Sequence, residues 1–372
     1  MTSILDFIIW SPSPEMFTIP GIEREVRWYG LLFAMGFIVG QQVMYWIFKK
    51  ENRDPKDVDQ LTMYLVIAVV VGARLGHCLF YNPSYYLSNP IEIIKIWEGG
   101  LASHGGAIGM FIALYLFAKK YGFTYLWILD RVAIITVLAG AFIRFGNFMN
   151  SEIIGLPTGT DSGIVFSRSV EDMFLNGDER IEDVSFEKGG KAETDSAGLV
   201  PMTVILEYKR GIELDPATSE NFFKRNVPNA FARSSSVSKH IYYKSGMNMP
   251  YELYKEGGIQ YAKISVLGVP RHPGQLYESI ACILMFLILA HVWYYHRDQM
   301  KEGFLFGFFM TMLWSERFAV EFFKENQEAW EADIPLNMGQ WLSIPLFLWG
   351  IAFMVKYWGF GEKKALSNTN SQ

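Results

Sequence analysis

Apolar runs of bilayer length dominate this chain and leave it little freedom in how to fold. A helix needs about 20 predominantly apolar residues to cross the hydrocarbon core. Such runs extend approximately from Trp28 to Phe48, Leu61 to Tyr81, His104 to Lys119, Leu126 to Met149, Gln275 to Tyr295, Gly303 to Phe323 and Met338 to Tyr357. Backbone inside hydrocarbon has to satisfy its own hydrogen bonds, so each run predicts a membrane-spanning helix. The third is short and Gly-rich at its start, which leaves its edge the least sharply drawn. Ahead of the second, Asp54-Pro55 reads as an N-cap with proline at the first helical position. Composition agrees: 51% of the 372 residues are hydrophobic, 16% are aromatic and only 19% carry charge, against about 25% charged in soluble domains. Disorder is excluded, and the charge that remains gathers in one block, roughly residues 158 to 263.

The predicted fold is an all-α integral membrane protein with seven transmembrane helices and a small mixed α/β head between the fourth and fifth. Residues 1–156 would hold helices one to four with the N-terminal and interfacial segments, 157–264 the head, and 265–372 helices five to seven with a cytoplasmic tail. The Lys and Arg of short loops set orientation. With the N-terminus outside, Lys49, Lys50, Arg53, Lys56, Lys119, Lys120, Arg297, Lys301, Lys356, Lys363 and Lys364 fall inside, against Arg24, Arg27, Lys95 and Lys324 outside. The expectation is N-out, C-in, with the head extracytoplasmic; long domains translocate largely regardless of their own charge. In the head, His240 to Tyr243 and Ile259 to Val266 read as strands, while Gly189-Gly190 and the serines Ser234 to Ser236 interrupt periodicity. Asn82 to Ser103, with Ile91, Ile93, Ile94, Ile96 and Trp97, reads as lying flat at the interface.

Several classes drop out. Two cysteines, Cys78 and Cys282, both inside apolar runs, build neither a disulfide framework nor a Cys-type zinc site. A net charge of −5 without a basic stripe argues against nucleic acid. The stretch Met1 to Asp6 lacks a basic region and Ile4 to Trp10 is too short for a cleaved signal, so the first span is expected to direct insertion.

Polar groups within the spans carry the functional signal, because an Arg at a helix centre costs about 2.5–3.5 kcal/mol on insertion scales. They are Arg74 and His77 in the second span, Asp130, Arg131, Arg144 and Asn147 in the fourth, Glu278 in the fifth, and Glu316, Arg317 and Glu321 in the sixth. Arg144 and Asn147 share one helix face by spacing, Arg317 and Glu321 another. His104, Arg144, Glu278 and the Arg317/Glu321 pair all fall toward the outer leaflet, where one polar cavity would satisfy them together. Arg74 reads as a structural partner for a carboxylate such as Glu98 or Glu278, Asp130 and Arg131 as interfacial, and His77, Cys78 and Cys282 as packed core. Two guanidiniums facing one cavity exceed what structure requires and suit an anion held bidentately, for which a phospholipid headgroup is the simplest candidate. Gly105 and Gly106, at the start of the third span, serve either close approach of a ligand to the helix N-terminus or a close helix crossing.

The strings WYGLLFAMGF at Trp28, GARLGHCLFY at Gly72, WEGGLASHGGAIG at Trp97, RFGNFMNSEIIG at Arg144, RHPGQLYE at Arg271, ERFAVEFF at Glu316 and NMGQWLSIP at Asn337 together resemble the prolipoprotein diacylglyceryl transferase family, across all seven spans in order. The resemblance implies a bacterial inner-membrane transferase that moves the diacylglyceryl group of phosphatidylglycerol to the lipobox cysteine thiol of preprolipoproteins. Glycerol phosphate is released in this first step of lipoprotein maturation. Its implied partners are phosphatidylglycerol, lipobox peptides and membrane lipids. Carried over by motif, the catalytic residues would be His104, Arg144, Arg317 and Glu321. The substrate-binding residues would be Tyr29, Gly105, Gly106, Asn147, Glu152, Gly155 and Glu278. Leu313 stands where family members carry a tyrosine, which puts any role for that hydroxyl in doubt. The head is longer than the family leads one to expect, and the resemblance is silent from about Pro157 to Ile264.

The acceptor thiol reacts as thiolate. His104 is the natural base to take its proton, with Glu152 and Glu321 as alternatives if burial raises their pKa. Arg144 and Arg317 would stabilise the departing phosphate oxygen, with Glu321 orienting Arg317. No metal or organic cofactor is expected. The competing classes are a secondary transporter, against which the lack of an internal repeat counts, and a sensor or scaffold acting through its head.

Overall fold

The computed structural model describes residues 7–21, 24–96, 99–192, 198–244, 249–325, 330–331 and 334–359. Trp97, Glu98, Lys363 and Lys364, used above, lie outside the described residues. The chain divides into two compact units, one of Gly30–Arg144, Glu278–Glu321 and Trp330–Gln372, the other of Met1–Tyr29, Phe145–Tyr277 and Phe322–Ala329.

The first unit is helical. Its long helices are α1 (Trp28–Lys50), α2 (Lys56–Phe80), α5 (Ser103–Tyr121), α6 (Tyr125–Met149), α11 (Gly274–His296), α12 (Phe304–Val320) and α13 (Met338–Lys356), with the short α3 (Pro83–Ser88) and α4 (Pro90–Ile94) between α2 and α5. All seven expected runs form helices. Five of them, α1, α2, α6, α11 and α13, are long and apolar enough to cross a membrane. Helix α12 has 17 residues, while α5 is diluted by Ser103, His104 and two glycines at its start and by Lys119 and Lys120 at its end. Helix α2 begins one residue later than expected, with Pro55 and not Asp54 at its N-cap, although the Asp54 carboxylate accepts the Lys56 N–H at 2.9 Å. Helix α13 opens on a capping box: the Asn337 side chain accepts the Gln340 N–H at 2.9 Å, and the Gln340 side chain accepts the Asn337 N–H at 3.1 Å. In α3 and α4, Leu87, Ile91 and Ile94 are exposed.

Helices α2 and α5 cross at glycines. A Cβ added to Gly72 would lie 2.5 Å from the Gly105 carbonyl oxygen, and one on Gly76 would lie 2.7 Å from the Gly105 Cα. Helices α12 and α13 do the same, a Cβ on Gly307 meeting the Met354 nitrogen at 2.5 Å. Small residues permit this approach where lipid provides no hydrophobic drive between helices.

Buried charge in this unit is satisfied by protein. Asp130 has no solvent exposure; its carboxylate accepts the N–H groups of Gly303 at 2.8 Å and Phe306 at 2.7 Å, at the start of α12. Arg131 pairs with Glu51 at 2.9 Å, and Trp127 and Trp293 donate their indole N–H groups to the same carboxylate. Asp130 and Arg131, 0% and 4% exposed, are thus each satisfied by a partner on a neighbouring segment of the protein. Arg74 donates to the carbonyls of Ile93 at 2.9 Å, Gly99 at 2.5 Å, Gly100 at 3.3 Å and Glu92 at 2.5 Å; of the two acids expected as its partner, Glu278 is bound by Arg144 and Arg317 and Glu98 lies outside the described residues. Cys78 and Cys282 are buried free thiols, as expected.

The second unit contains the sheet, beside the helices α7 (Arg168–Gly177), α8 (Pro216–Asn221), α9 (Val227–Arg233) and α10 (Ser235–Ser238), so the chain is not all-α. Strand β5 (Ile181–Lys188) pairs with β6 (Val200–Tyr208), which pairs with β9 (Ile259–Gly268); β7 (Ile241–Tyr242) and β8 (Tyr251–Glu256) pair with the other edge of β9. All these pairings are antiparallel. Gly257 (φ 58°) and Gly258 (φ 84°) form the two-residue turn between β8 and β9, a geometry that needs positive φ at both positions. Strands β7 and β9 were expected; β5, β6 and β8 were not. Nor were β1 (Ile8–Trp10), which pairs in parallel with β4 (Ile164–Phe166), and the hairpin of β2 (Glu15–Ile19) with β3 (Arg24–Arg27). The N-terminal strands therefore belong to the sheet-bearing unit. Its core gathers Val165, Phe174, Met202, Val204, Leu206 and Ile264.

Two predictions follow from packing and burial. Gly105→Val forces α2 and α5 apart and should cost about 3 kcal/mol by overpacking, visible as a lower melting temperature in detergent; an unchanged melt would refute the crossing. His240, ahead of β7, has its pKa pushed down to about 4, by burial first and by the Arg271 charge second. It stays neutral when folded, whereas the unfolded chain takes the proton near 6.5. Its contribution is whole above that pH and is lost as pH falls toward 4, about 3 kcal/mol at 1.36 kcal/mol per unit. Thermal unfolding of His240→Gln should lose correspondingly less stability between these pH values than wild type.

Candidate active site

In the helical unit, the fourth, fifth and sixth long helices each contribute one charged side chain to a cluster. Glu278 on α11 is 1% exposed. Its Oε2 lies 3.2 Å from Arg144 Nε on α6, and its Oε1 lies 3.3 Å from Arg317 Nη1 on α12. The acid side chain is 2% exposed, whereas those of Arg144 and Arg317 are 21% and 29% exposed, so the carboxylate stands behind and the guanidiniums face open space.

That space is a cavity of about 530 Å³ lined by Arg144, Glu278, Glu316 and Arg317 together with apolar groups that include Phe33, Leu65, Val69, Met110, Ile135 and Phe309. It is charged at one part of its wall and apolar over the rest, and its size is that of a small-molecule site. Two guanidiniums against the carboxylates of Glu278 and Glu316 sum to no net charge. Attraction for an anion therefore rests on directed N–H donors in a low-dielectric wall, five on each guanidinium. Cys282 and Leu313 also line the cavity.

Other expected residues lie elsewhere in this unit. His104 opens α5 and is exposed, its ring 5.0 Å from that of Phe80 and 6.1 Å from that of Tyr81. It is not among the residues lining the cavity, although the adjacent Ser103 is. Gly105 and Gly106 are buried against α2, Gly106 facing Val69 and Ala73. Glu321 is 5% exposed and lies just beyond α12 with its carboxylate against Gly339. The ion-pair partner of Arg317 is Glu278, so the spacing argument for an Arg317/Glu321 pair selected the wrong acid.

Tyr29, Asn147, Glu152 and Gly155 belong to the sheet-bearing unit. The Tyr29 ring packs on Gly146, where a Cβ would meet it at 3.1 Å. Glu152 is held by the side-chain amides of Asn147 at 3.0 Å and Asn150 at 3.2 Å. Ser151 and Ile153, on either side of it, both have φ of 54°, the left-handed region that costs a β-branched residue about 1–3 kcal/mol. Gly155 is walled by the carbonyl oxygens of His272 and Phe323, the latter 2.7 Å from an added Cβ. Sequence reasoning passed over Arg271, which is 4% exposed and donates to the Gly155 carbonyl at 2.9 Å while pairing with Glu325 at 2.7 Å. Its place in the string RHPGQLYE, next to a span, was the available signal. Burial pushes the Glu325 carboxyl up, but its bonds from Lys239 and Arg271 outweigh this and carry its pKa below the ordinary carboxylate value.

Fold and site together define a membrane protein with bilayer-length helices, a separate sheet, and a cavity that presents guanidiniums beside apolar walls. The family model for prolipoprotein diacylglyceryl transferase matches residues 14–356, and the chain belongs to that family. It is 34% identical over 349 residues to the phosphatidylglycerol-prolipoprotein diacylglyceryl transferase of Tolumonas auensis, covering 94% of this chain and 96% of that protein. It is 33% identical to the protein of that name from Chloroherpeton thalassium, covering 93% and 92%, and 31% identical to that of Bacteroides fragilis, covering 98% and 100%.

Removing the shared acid should expose its role. Glu278→Gln deprives two guanidiniums of the carboxylate they share and should cost about 3 kcal/mol of stability. The check is a chemical or thermal melt in detergent, where an unchanged midpoint would mean that the pairs are not formed.

Proposed function

We propose that this protein transfers the diacylglyceryl group of phosphatidylglycerol to the lipobox cysteine thiol of preprolipoproteins and releases glycerol phosphate. The observation that carries the reading is the cavity in which Arg144 and Arg317, on different helices and bound to one carboxylate, face a common space with apolar walls. An anionic lipid matches both parts, its phosphate at the guanidiniums and its acyl chains along Leu65, Val69, Met110 and Phe309.

The chemistry follows from the charges. The thiol loses its proton to a base, and the sulfur attacks the glycerol carbon that bears the phosphate ester. A C–S bond forms, the C–O bond breaks, and its electron pair passes to the phosphate oxygen. Negative charge grows on that oxygen, so donors fixed by Glu278 stabilise the transition state more than the ground state. His104 is the base in this reading. It is exposed beside the cavity-lining Ser103, and imidazole is the side chain whose proton exchange is centred near neutrality. Of the alternatives, Glu152 is already engaged by two side-chain amides, and Glu321 is buried beside Gly339. Tyr29, Asn147, Glu152 and Gly155 bind substrate, Gly105 and Gly106 seat the helix that carries His104, and Glu278 orients both arginines.

The seven long helices are all membrane spans in this reading, N-out and C-in, in a bacterial inner membrane. Residues 157–264 form an extracytoplasmic head, with 1–156 and 265–372 holding the spans. The Lys and Arg distribution supports the orientation. In purified protein given phosphatidylglycerol and a lipobox peptide, Arg144→Ala and Arg317→Ala should each lower glycerol phosphate release by about 100-fold or more, with a much smaller change in lipid affinity. Wild-type turnover in Arg144→Ala would defeat the assignment.

A further inference from the structure

The chain from Glu152 to Leu156 is tied down at successive points by residues of one later segment. Gln275 donates its side-chain amide to the Glu152 carbonyl. Gly155 N–H donates to the His272 carbonyl at 3.0 Å, and His272 N–H returns a bond to the Leu156 carbonyl at 3.0 Å. Arg271 closes the arrangement from below the surface. Its Nη1 donates to the Gly155 carbonyl at 2.9 Å and meets Glu325 Oε1 at 2.7 Å, while its Nε donates to the Lys239 carbonyl at 2.7 Å. Glu325 is itself bound by Lys239 at 2.7 Å.

The anchored loop is one that would not keep its shape alone. Ser151 and Ile153 hold left-handed φ on both sides of Glu152, a conformation that persists only where the surroundings over-determine it. A guanidinium is the side chain suited to this junction, because its planar fork serves two carbonyls and a carboxylate at once, which the single ammonium of lysine does not.

We propose that Arg271, locked by Glu325, is a positioning residue that holds the Glu152–Gly155 loop in its strained form and so sets the placement of the Glu152 carboxylate. It rests on the reading that this loop takes part in the transfer. Arg271 acts through Glu152, and its loss therefore falls on the same step as loss of Glu152, not on the hold of Arg144 and Arg317 on the lipid phosphate. Lysine keeps the charge opposite Glu325 and loses the fork, so Arg271→Lys restores stability more than turnover.

The test combines amide hydrogen exchange with a double-mutant cycle on the full chain in detergent. Arg271→Gln should raise exchange in residues 152–156 and lower kcat/KM by about 100-fold, the scale of a misplaced substrate-positioning group, with the affinity for phosphatidylglycerol little changed. In the Glu152→Gln background it should add little further loss, since both changes remove one contribution. Glu325→Gln, which keeps the carbonyl bonds of Arg271, should show the same pattern more weakly, and it serves as the variant should Arg271→Gln fail to fold. Unchanged exchange in 152–156, or losses that multiply in the double variant, would overturn the proposal. Absence of transfer by the wild-type protein would sink the transferase reading instead, and exchange alone would then decide for or against the anchoring of the loop.

Discussion

A carboxylate almost without solvent access, bound by two guanidiniums from two other helices, is the constraint on which the helical unit turns. Moving an ion out of water costs several kcal/mol unless a partner and hydrogen bonds compensate it. Glu278 can therefore be buried only where α6 brings Arg144 and α12 brings Arg317 against it. The register of three helices is thereby coupled to one acid. The same contact does chemical work, because a guanidinium whose position is fixed before the substrate arrives needs no reorganisation when charge develops.

Elsewhere in the unit, buried charge is consumed. Arg74 and Arg131, each 4% exposed, spend their donors on backbone carbonyls and on Glu51, and Asp130 spends both oxygens on the start of α12. These residues look as anomalous in an apolar run as Arg144 and Arg317 do. What separates the two groups is residual access to a cavity, 21% and 29% for the site arginines. Spacing within one helix does not encode that access, since it depends on what the neighbouring helices leave open.

Legibility in the sequence followed the range of the interaction. Helix existence is local, set by run length, and all seven runs were readable; so was the close crossing at Gly105 as one of two alternatives, because small residues allow few uses. Strand β9, with its apolar and β-branched residues, was readable, whereas β5, with the sequence IEDVSFEK, alternates poorly because most of its residues face out. Strand β6 carries the run TVILEY, a β-branched signal that stood there to be used. Long-range pairings were lost. Glu51 sits in a turn and gave no sign of Arg131, Trp127 and Trp293 converging on it. Arg317 was given the acid four residues away when its partner lies 39 positions back on α11. The left-handed Ser151 and Ile153 had no signal at all, since neither residue type favours that conformation.

The glycine crossings bear on the site through geometry rather than chemistry. On α2, Ala68, Gly72 and Gly76 form the row that meets α5, while Leu65 and Val69, on the adjacent row, line the cavity. Helix α5 is divided likewise, with Gly105 and Gly109 in the crossing and Ser103 and Met110 on the cavity wall. The distance between the two backbones at the crossing therefore fixes where the apolar wall stands. Close backbone contact sets a sharp limit, because repulsion rises steeply within a fraction of an ångström, whereas larger interdigitating side chains would let the helices settle over a range of separations. A bundle in lipid that must keep an open cavity has reason to place its smallest residues beside that cavity, where they define its wall without filling it.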